Sequence, residues 1–150
     1  MLYVFTAGLN AGLLAAAMSV AAVDYSVQVN HHSGPVNAVY RSKVAVRHTQ
    51  VGAVAPGGKP STLRCRWSAD MIVDRQARAA SGTVMARNMV REGVVSGSRP
   101  GWCDTQRKAI AREVATQIKN VNRHVAVLAQ EDHDVLRAEL DRLHGGTRAG

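Results

Sequence analysis

Two cysteines, Cys65 and Cys103, and six histidines are the residues of this chain best suited to chemistry. Cys103 stands in Trp102-Cys103-Asp104, directly ahead of a stretch with helical periodicity. A thiol at a helix N-terminus has a depressed pKa and becomes a nucleophile when a histidine can take its proton. The competing reading is a bond to Cys65, which accounts for both cysteines at once. An even pair in an exported domain reads as one disulfide, and a closed loop of about 38 residues would contribute ~3–4 kcal/mol through chain entropy. The Cys65–Cys103 disulfide is therefore the expectation.

His31 and His32 are adjacent, and His48 lies on a neighbouring strand pattern. No Asp or Glu stands at metal spacing from them, and His-Glu-x-x-His is absent, so they read as polar residues at a hairpin end and no metal or cofactor is expected. Glu131-Asp132-His133-Asp134 is acidic enough to suggest acid–base work. Successive helix positions diverge by about 100°, however, so a helix start explains the four better. There is no phosphate loop, dinucleotide fingerprint or nucleophile elbow. The patterns do not name an enzyme.

Charge is more informative. The 150 residues carry a net +8, and the excess lies in the first two thirds, where residues 23–103 hold 11 basic and four acidic groups. Arg41, Lys43 and Arg47 share the outward parity of one strand, and Arg64 and Arg66 that of another. If those strands are neighbours, the five form a basic, anion-binding sheet face. It would suit an anionic envelope component or an acidic protein. Single-stranded nucleic acid needs aromatics on such a face, and Tyr25, Tyr40 and Trp67 have the opposite parity, which argues against it.

The elements that must position these groups follow from periodicity. Residues 1–22 carry no charge and end in small residues, the pattern of a signal peptide, or of a retained apolar anchor. From Val23 apolar residues fall on odd positions as far as Val29. Ser33-Gly34-Pro35 then turns the chain into a second strand from Val36 to about Val51. A hairpin centred on Ser33-Gly34 sets Val27 opposite Tyr40 and Val29 opposite Ala38. Residues 53–61 read as a loop, Leu63 to Val73 as a third strand, and Thr83 to Val95 as a fourth, although Met85 and Met89 also suit a short helix. Residues 96–101 read as a second loop.

After this point the period changes. Asp104 is a candidate N-cap, and Ile110, Val114, Ile118, Val121, Val125 and Leu128 mark one helical face. Residues 104–123 are mainly basic and residues 131–142 mainly acidic, an order that opposes the dipole of a single helix. Two helices with the break near Asp132 are expected, with one continuous helix as the alternative.

The fold class that follows is α+β: an antiparallel meander of about four strands, packed on one face by one or two C-terminal helices. The expected organisation is a segment 1–22, a single domain 23–146 (sheet 23–97, helices 104–145) and a tail 147–150. A disulfide from strand to helix would place Trp67 and Trp102 beside it. The functional expectation is a periplasmic or secreted binding module without catalysis. Its alternatives are a membrane-anchored envelope accessory subunit, if residues 1–22 are retained, and a thiol enzyme using Cys103.

Overall fold

The computed structural model describes residues 20–145, so the signal-like segment and the C-terminal tail lie outside the described residues, apart from the backbone of Val20–Ala22. Four strands, β1 (Val20–His31), β2 (Gly34–Val51), β3 (Arg64–Arg78) and β4 (Val84–Pro100), are followed by two helices, α1 (Cys103–Gln117) and α2 (Val121–Gly145). The strands pair antiparallel in sequence order, giving an α+β meander with both helices on one face.

Alternation decides which face is covered, because side chains two apart share a face of a strand. Even positions of β2 (Val36, Ala38, Tyr40, Val44) and odd positions of β3 (Cys65, Trp67, Ala69, Met71, Val73) are buried. They meet Ile110 and Val114 of α1 and Val125, Leu128, Leu136 and Leu140 of α2. Each large aliphatic side chain buried in this way contributes about 1.5–3 kcal/mol.

The hairpin register differs by two residues from the expectation: Val27 faces Ala38, Val29 faces Val36 and Tyr25 faces Tyr40. A slip of two leaves every side chain on its own face, so the alternation is blind to it. The turn itself decides. His31 Nδ1 accepts the Ser33 N–H (3.2 Å), which centres the turn on His32-Ser33, and Gly34 follows at φ +124°. A Cβ on Gly34 would meet the Ala80 Cβ at 2.8 Å.

β4 is a strand throughout and runs through the expected loop at 96–101 to Pro100. Each small residue there has a partner. Trp67 lies opposite Gly97, and a Cβ at Gly97 would come within 2.6 Å of the indole. Ser98 Oγ accepts from Arg64 Nε, and Arg99 turns inward to Gln106 and Glu113 of α1. Opposite Asp70 the register jumps between Ala69/Val95 and Met71/Arg91, and Asp70 Oδ1 accepts the Gly93 N–H of this bulge (2.9 Å).

There are two helices, but they part at residues 118–120 rather than near Asp132, and the acidic run sits inside α2. Asp104 is not the N-cap of α1; Trp102 is, with no side-chain cap of its own. Gln50 of β2 takes that role from across the fold. Its Oε1 accepts the Cys103 N–H at 2.7 Å, while its Nε2 donates to the carbonyls of Arg64 and Gly101.

Candidate functional site: the open face of the sheet

Cys65 and Cys103 are joined, with Cα atoms 4.8 Å apart. The bond ties β3 to the first residue of α1. Trp67 is buried near it, whereas Trp102, expected to pack there too, is 54% exposed.

Neighbouring β2 and β3 bring the five basic residues to one face. Arg41 lies opposite Asp74, Lys43 opposite Ile72, Arg47 opposite Ser68, and Arg66 and Arg64 opposite Thr49 and Val51. All five are exposed on the side away from the helices. Carboxylates share this face. Asp24 is 3.7 Å from Arg41, and Asp70, mostly buried, accepts from Arg47 Nε at 2.9 Å. At the far end from the hairpin turn, a groove of about 600 Å³ is lined by Arg47, Arg66, Thr49, Ser68, Ser96 and Ser98. Guanidinium forks beside hydroxyls are suited to carboxylate or phosphate groups. Trp67 and Gly97 also line this groove, although the Trp67 side chain is only 3% exposed, and Tyr40 is buried on the helix side.

On the covered face the fold holds a charged cluster that the sequence reading missed. Arg75 is wholly buried; its Nη1 donates to Asp132 Oδ2 (3.0 Å) and its Nη2 to Glu139 Oε2 (2.6 Å). Asp132 also accepts from Tyr40 Oη (3.0 Å) and from Arg87, and Arg91 pairs with Glu131. The acidic run of α2 therefore answers arginines of β3 and β4 instead of a helix dipole. Burial, and after it the Asp132 carboxylate, pushes the Tyr40 phenol well above its ordinary pKa. The available signal was the alternation itself: carried two residues past Val73, it places Arg75 inward.

The histidines are distributed unlike the expectation. His48 lies opposite Trp67, roughly 45 Å along β2 from the turn at about 3.3 Å per residue, so it does not join His31 and His32. Its Nε2 is buried without a partner, and burial followed by the charge of Arg107 lowers its pKa. Near His31 the fold instead places Asp141 of α2, whose Oδ1 is 2.9 Å from His31 Nε2. That hydrogen bond leads the causes that hold the Asp141 carboxyl below its usual range.

Among the described residues, the fold and face define an α+β sheet-and-helix module with a disulfide and an arginine-bearing sheet surface that neither helix covers. No protein-family model matches the chain, and no curated protein or solved structure matches it. No helix among the described residues is long and apolar enough to cross a membrane.

Proposed function

We propose that this chain is an exported binding module that holds an anionic envelope polysaccharide against the open face of its sheet, without a catalytic step. The observation that carries the reading is the gathering of Arg41, Lys43, Arg47, Arg64 and Arg66 on one exposed face. The helices leave that face bare, and at one end it becomes a groove with two guanidinium groups and four hydroxyls. Carboxylates or phosphates on a hydroxyl-rich chain complement this surface in charge and in hydrogen bonding. The disulfide supports an oxidising compartment, since cytosolic thiols are kept reduced, and the uncharged segment 1–22 is in keeping with export.

The test is binding of the protein, recovered from the periplasm, to polygalacturonate and to neutral dextran at low and physiological salt. The expected result is salt-sensitive binding to the polyanion alone, weakened at least about tenfold in Arg47→Glu/Arg66→Glu, a loss of about 1.4 kcal/mol. Equal binding to dextran, indifference to the charge reversals, or binding only to an acidic protein would overturn the reading. Intact mass of the recovered chain, with loss of residues 1–22, checks export.

A further inference from the structure

We propose that His31, His32 and Asp141 form a binding site for one zinc ion, clamping the β1–β2 turn to the C-terminal end of α2. One ligand atom from each residue lies within 4.8 Å of the others, although Asp141 is 110 residues from His31 in sequence. Zinc bound at about 2.0–2.2 Å to imidazole nitrogen and carboxylate oxygen needs donors about 3.3 Å apart, so small rotations of exposed His32 and Asp141 close the set. Three protein ligands leave a fourth position for water.

Three features prepare the site. The His31 side chain is only 6% exposed, and its Nε2 is aimed at Asp141. Ser33 sets the ring from the other side, with its Oγ 2.6 Å from His31 Nδ1. Metal binding replaces the Nε2–H···Oδ1 hydrogen bond; the imidazole proton then resides on Nδ1, which donates to Ser33 Oγ in place of accepting the Ser33 N–H, and the ligand stays neutral. His144 walls the site, its ring centroid 5.6 Å from that of His31 and 6.2 Å from that of His32, and its Nδ1 is bonded to the Leu140 carbonyl (2.8 Å).

The test titrates tag-free full chain, stripped with chelator and desalted, with zinc chloride in a calorimeter and with cobalt(II) by visible absorption. One zinc per chain is expected, with a tetrahedral cobalt spectrum. Asp141→Asn and His32→Ala, both exposed and removable without touching the core, should each weaken zinc at least about tenfold and abolish the spectrum, while His48→Ala leaves both unchanged. Circular dichroism of each variant confirms the fold. Absence of saturable binding, affinity unchanged in Asp141→Asn and His32→Ala, or sensitivity to His48→Ala alone would overturn the site.

Discussion

Arg75 of β3 and Asp132 of α2 form an ion pair, Nη1 to Oδ2 3.0 Å, with side chains 0% and 1% exposed. Removing Asp132 leaves the buried Arg75 charge with Glu139 alone, whereas removing both takes the charge out of the core and leaves the Tyr40 hydroxyl and the part-exposed Glu139 and Arg87 to find other partners. Asp132→Ala should therefore lose about 3–5 kcal/mol in urea unfolding, and Arg75→Met/Asp132→Leu should recover most of it. Equal losses in the single and double variants would show that the pair itself, not the orphaned charge, carries the stability.

Gly97 carries the Trp67 indole, and a Cβ there would sit 2.6 Å from the ring. Gly97→Val should cost about 1–3 kcal/mol by overpacking and change the Trp67 fluorescence. Gly57→Val, with nothing within 4 Å, is the reference whose smaller effect separates crowding from a general glycine effect.

His48 has a folded pKa below the ordinary histidine value of 6.5 because burial and Arg107 oppose its charge. The unfolded chain thus takes up the proton first, so the contribution of neutral His48 is complete above pH 6.5 and is lost as pH falls below it. Urea unfolding between pH 8 and pH 5 should show stability declining on the acid side, and His48→Gln should flatten that decline. Asp141 acts in a separate window. Its folded pKa lies below 3.8, so its contribution is present above that value and is lost as pH falls through the lowered one.

The Cys65–Cys103 bond closes a loop of 38 residues that spans β3, β4 and the start of α1. Cys65→Ala/Cys103→Ala should lower stability by ~3–4 kcal/mol, the loop-closure entropy restored to the unfolded chain. A thiol titration that finds two free sulfhydryls in the non-reduced wild-type protein would remove the basis of this prediction.

Alternation and period were sufficient for the layout. Leu63 to Val73 alternates so cleanly that only one face of β3 could be buried, and the shift to three-and-four spacing at Ile110 and Val114 marks the helices. The disulfide was legible because one bond accounted for both cysteines, one on the third strand and one at the start of the helical period. The extension of β4 to Pro100 was not, because serine and glycine at 96–98 read as a loop until Trp67 and Arg64 are seen lying against Gly97 and Ser98.

The sequence by itself determined which side chains share a face, since that depends only on local backbone geometry. It therefore placed Arg41, Lys43, Arg47, Arg64 and Arg66 together once β2 and β3 paired. Only the tertiary structure decided pairings between elements: the two-residue register of the hairpin, the Gln50 cap on α1, Asp132 on Arg75, and Asp141 beside His31. These contacts join residues 53 to 110 positions apart, or a slip that leaves every face unchanged, and no local period records either. Charge order along α2 was read as a dipole effect because its arginine partners lie on strands, where the helix period cannot see them.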